Sequence, residues 1–158
     1  MDDRDDTVVV GFTGTREGLT PAQHAALIAW FEVRPPGVLH HGDCVGADAG
    51  AHETALRRGW RVEVHPGMGV MNLRAITTGH DRLHAARPNL DRNTDIVAAA
   101  TELLACPNGP EILRSGTWST VRKARVRGLP RTIIWPDGSV TDDAEAPRRR
   151  RRRRRRRR

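Results

Sequence analysis

The chain has 158 residues, 37% of them hydrophobic and 29% charged, with a formal net charge of +8; that length is enough for one domain with a real core, a second independent core would be crowded, and a single domain is expected. Eleven of its 27 basic residues form the unbroken run Arg148–Arg158, so the other 16 face 19 acidic ones and the rest of the chain carries −3. The basic balance thus belongs to a tail that cannot bury apolar surface, which excludes reading the folded part as a polyanion binder on charge alone.

Five short apolar runs stand out along the chain: Val8 to Phe12, Val38 to His41, Val62 to His65, Leu103 to Cys106 and Thr132 to Trp135. Runs without polar alternation suit strands covered on both faces. After the first, Thr20-Pro21-Ala22-Gln23 has the capping-box arrangement with proline at the first helical position, and Ala22, Ala26, Trp30 and Phe31 supply an apolar stripe. Further helices are predicted from about Ala47 to Arg58, from Asn93 to Thr101, and from about Thr117 to Arg127, the first and last of these stopping at Gly59 and Gly128. The stretch from Pro66 to Leu90 is long for a connection and is expected to hold a short helix around His80 to Ala86 or to form a lid.

Strand and helix in alternation predict a single doubly wound α/β domain, a Rossmann-like parallel sheet of about five strands in the order 3-2-1-4-5 with helices on both faces. It is expected over residues 7–138, with residues 1–6 and 139–158 as disordered ends. No apolar stretch reaches the roughly 18 residues of a membrane span, and Met1-Asp2-Asp3-Arg4-Asp5-Asp6 is acidic where a signal peptide is basic, so a cytoplasmic protein is expected. Cys44 and Cys106 make neither a disulfide framework nor a zinc-type cluster and read as reduced thiols near strand ends.

In an open parallel sheet, ligands bind beyond the carboxyl ends of the strands, and three of the turns there are unusual. The first strand runs into Gly11-Phe12-Thr13-Gly14-Thr15-Arg16, where glycines admit close backbone approach and hydroxyls and a guanidinium suit phosphate oxygens. The second leaves through Gly42-Asp43-Cys44-Val45-Gly46-Ala47-Asp48, opening a helix whose first amides are candidate anion donors. The fourth leads to Arg114-Ser115-Gly116-Thr117-Trp118 at another helix start. The alternative is that these residues only cap helices and close turns, as Asp48 would by complementing its own helix dipole for roughly 0.3–1 kcal/mol. A Walker A loop is excluded, because Lys123 is the one lysine and lies inside a helix. No Gly-x-Gly-x-x-Gly follows the first strand and no acidic residue ends the second, which argues against a dinucleotide enzyme.

At these turns the sequence resembles the SLOG superfamily, the Rossmann-like group that contains the Smf/DprA DNA-processing proteins and the LOG phosphoribohydrolases. The matching segments are Gly11-Phe12-Thr13-Gly14-Thr15-Arg16, His41-Gly42-Asp43-Cys44-Val45-Gly46-Ala47-Asp48, Arg92-Asn93-Thr94-Asp95-Ile96-Val97 and Ser115-Gly116-Thr117-Trp118-Ser119-Thr120-Val121, in the family's order. It looks closest to the small stand-alone members. The resemblance implies a pocket for a nucleotide or nucleotide-derived phosphorylated ligand, with Arg16, Asp48, Asn93, Gly116 and Thr117 carried over. It also implies a departure: Thr120 stands where LOG enzymes have the glutamate of Pro-Gly-Gly-x-Gly-Thr-x-x-Glu, and a hydroxyl does not replace a carboxylate as general acid. Binding or sensing is therefore the leading expectation. A nucleotide-processing N-glycosidase using Asp48 or Glu53 is the alternative, and DprA-like nucleic-acid binding is a weaker third.

His80 and His84 are four apart, but without a third ligand they read as a polar helix face, and no metal site or cofactor is expected. Of His40 and His41, one points into each sheet face; a satisfied buried histidine is expected, with the pocket as the other option. Trp118 is placed equally by base stacking and by packing, whereas Trp30, Trp60 and Trp135 read as packing residues. Arg74, Arg82 and Arg87 in the long loop could reach a phosphate from above, but each read singly is solvated surface. The partners expected are a nucleotide-like small molecule and, through Arg148–Arg158, non-specific nucleic acid or an acidic membrane surface by counterion release; a homo-oligomer is left open, and the arginine run could equally be an idle extension.

Overall fold

The computed structural model describes residues 6–69 and 73–143. Its elements run β1 (Val9–Gly14), α1 (Pro21–Glu32), β2 (Val38–His41), α2 (Ala47–Arg57), β3 (Arg61–Val64), β4 (Arg82–Leu83), α3 (Asn89–Ala99), β5 (Glu102–Cys106), α4 (Gly116–Val126), β6 (Arg131–Ile134) and β7 (Val140–Asp142). They form one sheet in the order β4-β3-β2-β1-β5-β6-β7, parallel throughout except for the antiparallel pair β6 and β7. The five strands expected from the apolar runs are present in the expected order, and one further strand is added at each edge.

The period-two alternation of strand side chains divides the core into two layers. Val10, Phe12, Leu39, Val62, Val64, Leu104, Cys106 and Ile134 pack with α1 and α2 around Leu27, Trp30, Phe31 and Trp60; Leu103, Ala105 and Ile133 pack on the other side with Val97, Trp118, Val121 and Ala124 of α3 and α4. Phe31 and Trp60 meet edge to face at 5.0 Å and 86°, an arrangement that suits the aromatic quadrupoles. The α1 start is the capping box foreseen: Gln23 N donates to Thr20 Oγ1 at 3.0 Å, and Thr20 N donates to Gln23 Oε1 at 3.3 Å. Gln23 is itself buried, and its Nε2 donates to the carbonyls of Pro107 and Ile134, which joins α1 to the ends of β5 and β6.

Three expectations are corrected. The segment around His80 to Ala86 is not helical: Arg82–Leu83 is a strand in parallel register with Glu63 and Val64, and Asp81 holds it by exchanging N–H to Val62 O while its carboxylate accepts from Val62 N. The unpaired edge of β3 is satisfied this way, at the expense of a short helix with little to bury. Secondly, α3 begins at Asn89 rather than Asn93, directly after Pro88.

Thirdly, the fold does not end at residue 138. Gly138, at φ 83°, closes a hairpin in which Trp135 N donates to Ser139 O and Gly138 N to Trp135 O. β7 then pairs with β6, and Asp143 accepts from Arg131 Nε at 2.7 Å and Arg125 Nε at 3.0 Å. The arginine run and residues 1–5 lie outside the described residues.

Candidate functional site

β1 lies between β2 and β5, and the chain leaves it in opposite directions on its two sides, so a crevice opens beyond its carboxyl end. A cavity of about 360 Å³ occupies that crevice, in the size range of small-ligand sites. It is lined by Thr13, Gly14, Thr15 and Arg16 from the β1 turn, Gly42 and Asp48 from the β2 side, Asn93 from α3, and Ser115, Gly116, Thr117 and Trp118 from the start of α4.

Local sequence explains how the walls come together. A Cβ on Gly14 would collide with the Ala47 methyl, so glycine lets the β1 turn lie against the start of α2. Gly46, at φ 92°, faces the carbonyls of Thr15 and Arg16, and Ala47 N donates to Thr15 O at 2.9 Å, which fixes the two turns to each other. At α4, Ser115 caps the helix by accepting from Trp118 N at 3.2 Å. The amides of Gly116 and Thr117, in the first turn, have no intrahelical carbonyl to donate to, and both residues line the cavity.

Four of the anticipated residues serve the frame instead. Gly11 is buried within β1, where a side chain would press on Ile96, Ala100 and Leu103, so it lets α3 approach the sheet. Asp43, at φ 55°, accepts from Thr77 N and Oγ1 at 2.9 Å and from Arg74 Nη2 at 2.9 Å, anchoring the loop after β3. Burial works to raise its pKa, but these bonds outweigh it and hold the carboxyl below the usual range. Gly46 and Ala47 are the joint just described. Arg74, read as solvated surface, is thus an anchor for Asp43.

The β2 to α2 turn also differs from the anion-binding end anticipated. Its amides are occupied: Gly42 N and Cys44 N both donate to Asp48 Oδ2 at 3.1 Å, and Asp43 N donates to His41 Nδ1 at 3.0 Å. Asp48 itself fills the place an anion would take. Burial pushes its carboxyl up to about 6, against the opposing pull of the Cys44 and Gly42 amides and the Arg92 guanidinium. A carboxyl so placed can accept a hydrogen bond when ionised or donate one when protonated.

The cations lie at the other walls. Arg16 and Arg114 are exposed cavity-lining residues that make no side-chain hydrogen bond or ion pair among the described residues. Arg114, in the left-handed region at φ 59°, opens the Arg114-Ser115-Gly116-Thr117-Trp118 turn noted in the sequence. Arg92, by contrast, is buried and committed: Nη1 donates to Gly42 O at 2.6 Å and His65 O at 3.1 Å, and Nε donates to Asn93 Oδ1 at 2.8 Å. It holds the ends of β2 and β3 to α3 and turns Asn93 so that its amide remains for the cavity.

Thr120 lines the cavity but donates its hydroxyl to Gly116 O at 3.0 Å within the helix. Glu53, the second candidate for a catalytic carboxylate, is exposed on α2 and does not line this cavity. Glu17 is a lining carboxylate that the motifs did not single out. Trp118 is 4% exposed and packs on Trp135, which decides in favour of packing, with the cavity touching its wall.

Both histidines of β2 are buried, one on each face. On the α2 side a chain of three bonds fixes the tautomers: Asp43 N donates to His41 Nδ1, His41 Nε2 donates to His52 Nδ1 at 2.8 Å, and His52 Nε2 donates to Thr78 O at 2.6 Å. Burial, then the neighbouring His52, lowers His41 to about 3.

No family model matches the sequence, and no curated protein matches it significantly. Solved structures do share the fold. The molybdenum cofactor binding protein from the phototrophic bacterium Rippkaea orientalis superposes with a TM-score of 0.64 at 20% identity, over 82% of this chain and 77% of that one. The structural-genomics protein TM1055 superposes with a TM-score of 0.55 at 13% identity, over 79% and 72%. At these identities the likeness is one of fold. Among the described residues no helix is long and apolar enough to cross a membrane.

Proposed function

We propose that the crevice binds a nucleotide or nucleotide-derived phosphorylated ligand, as the SLOG resemblance implies, and that it binds or senses the ligand. The observation that carries this reading is the set of groups lining one cavity: the Arg16 and Arg114 guanidiniums, the first amides of α4 and the buried Asp48 carboxyl. Phosphate oxygens are matched by the guanidinium groups and the helix start. Sugar hydroxyls or a ring N–H are matched by Asp48 and Asn93. The Rippkaea protein, described as binding the molybdenum cofactor, supports a ligand-binding role for this fold and makes that cofactor a second probe.

A hydrolytic reading has one observation in its favour, the Asp48 carboxyl held near 6 inside the cavity, since a general acid works best with a pKa close to the operating pH. The two readings separate in one experiment. The full chain is screened by thermal shift against nucleoside mono- and diphosphates and the molybdenum cofactor, and any stabilising compound is recovered and chromatographed. The binding reading expects a stabilising nucleotide returned intact, and released base would replace it by the N-glycosidase. Stabilisation by none of these compounds would contradict both.

A further inference from the structure

The face of the sheet opposite the His41 relay carries a second histidine group that the crevice does not use. His40 on β2 pairs in register with Glu63 on β3, and His65 and His84 directly follow β3 and β4. The parallel register therefore brings His40, Glu63, His65 and His84 to one side of three neighbouring strands. His40 and His65 are each 6% exposed, while the His84 and Glu63 side chains are 25% and 26% exposed. Each of the three histidines offers a ring nitrogen, and these atoms all lie within 4.8 Å of one another.

We propose that His40, His65 and His84 form a binding site for a divalent transition-metal ion of the zinc type, oriented by Glu63 and open to solvent at a fourth position. Two imidazole nitrogens on a tetrahedral zinc ion, each at about 2.0–2.1 Å, lie about 3.3 Å apart. The present ligand-atom separations lie around that figure: His40 Nδ1 and His65 Nε2 are 2.7 Å apart, and all three ligand atoms lie within 4.8 Å of one another; the His65 and His84 rings are stacked at 9° between planes, so the His84 ring has to turn toward the ion. His84, on the rim of a two-residue edge strand, is the ligand with room to adjust.

The carboxylate supplies the tautomers that metal binding requires. His84 Nε2 donates to Glu63 Oε1 at 2.7 Å, which leaves Nδ1 of His84 as its lone-pair atom. Glu63 Oε2 stands 3.6 Å from His40 Nε2. With the His40 hydrogen on Nε2, facing Glu63, and the His65 hydrogen on Nδ1, the hydrogen now shared between His40 Nδ1 and His65 Nε2 is absent and both lone pairs face the ion. Only a tautomer shift is needed, and no proton is gained or lost by the group. Three imidazoles with an acidic outer neighbour favour zinc, cobalt, nickel or copper over magnesium or calcium. A bound ion would also staple β4, which holds to β3 through only two paired positions, Glu63 with Arg82 and Val64 with Leu83.

The test uses the full chain, stripped with a chelator and titrated calorimetrically with zinc, with cobalt as a spectroscopic probe. One ion per chain is expected, with the strong visible absorption of four-coordinate cobalt. His84→Ala and, as a second rim variant, His84→Gln should weaken binding by about a hundredfold or more and abolish that absorption, while Glu63→Gln should weaken it by about ten- to a hundredfold. His24→Ala, an exposed histidine of α1, should change nothing. Failure of the wild type to bind zinc or cobalt, or equal stoichiometry, affinity and spectrum in both His84 variants, would overturn the proposal and leave a hydrogen-bonded histidine stack.

Discussion

The Ala47 methyl occupies the volume that a side chain at position 14 would need, so the β1 turn and the start of α2 meet without a gap. Gly14→Ala should therefore force the two turns apart at the mouth of the cavity, with an overpacking cost of about 1–3 kcal/mol. Ala47→Gly in the same chain should recover much of that loss, because the two positions share one contact. Urea unfolding of the two single variants and the double variant gives the coupling; strict additivity would mean that the joint is not what holds the turns.

Asp48 gives a stability change whose sign depends on pH. A carboxyl raised from its ordinary value of 3.8 to about 6 in the fold binds its proton more tightly folded than unfolded. The stability it contributes is present below the unfolded pKa and is lost as pH rises through about 6. Asp48→Asn keeps an oxygen for the Gly42 and Cys44 amides and removes the buried charge, so it should melt higher than wild type at pH 8 and close to it at pH 3.5. It should also bind the nucleotide less well, since an amide is a weaker acceptor than a carboxylate. Melting curves of both proteins at the two pH values check the first statement; a wild type more stable than Asp48→Asn at pH 8 would show the charge to be well compensated.

The histidine relay works in the opposite direction. His41 is held at about 3, below the ordinary value of 6.5, so it favours the fold above 6.5 and its contribution falls as pH drops through the window between the two values. His52→Ala removes the acceptor of His41 Nε2 and the donor to Thr78 O. A cost of about 1–3 kcal/mol is expected at pH 8 from groups left unsatisfied, measured by urea unfolding. Less than about 0.5 kcal/mol would mean that water replaces His52 freely.

What could be read in the sequence was what burial imprints on it. The strands β1, β2, β3, β5 and β6 are covered on both faces and so appear as apolar runs, and the sheet order follows from the crossover rule. β4 and β7 are exposed edge strands, Arg82–Leu83 and Val140–Asp142, and carry no such pattern; for β7 the sequence offers only the short hairpin signal Asp137-Gly138. Most of the cavity wall was legible because glycines and hydroxyls cluster at strand exits. What was not legible depended on where amides and side chains are spent: Asp48 consumes the donors of its own turn, and Asp43 ties down Arg74 and Thr77. The trio His40, His65 and His84 needs the β2, β3 and β4 register, and a helical reading of residues 80 to 86 pairs His84 with His80 instead.

The arginine run should act independently of the fold. The described fold closes at Asp143 with its bonds to Arg125 and Arg131, and the residues other than Arg148–Arg158 carry −3. Truncation after Pro147 should abolish retention on immobilised nucleic acid at low salt and leave the melting temperature nearly unchanged. Equal retention by the truncated chain would place nucleic-acid binding on the folded part.

Arg16 is the residue on which a phosphorylated ligand in the crevice beyond β1 would depend without the fold depending on it, because it lines the cavity while making no side-chain bond that the fold needs. Its loss should change stability by less than about 0.5 kcal/mol. A charge-assisted hydrogen bond contributes about 1.5–3 kcal/mol, so Arg16→Ala should bind the best nucleotide from the screen roughly tenfold to a hundredfold more weakly in a calorimetric titration. Affinity equal to wild type would move the phosphate away from this crevice.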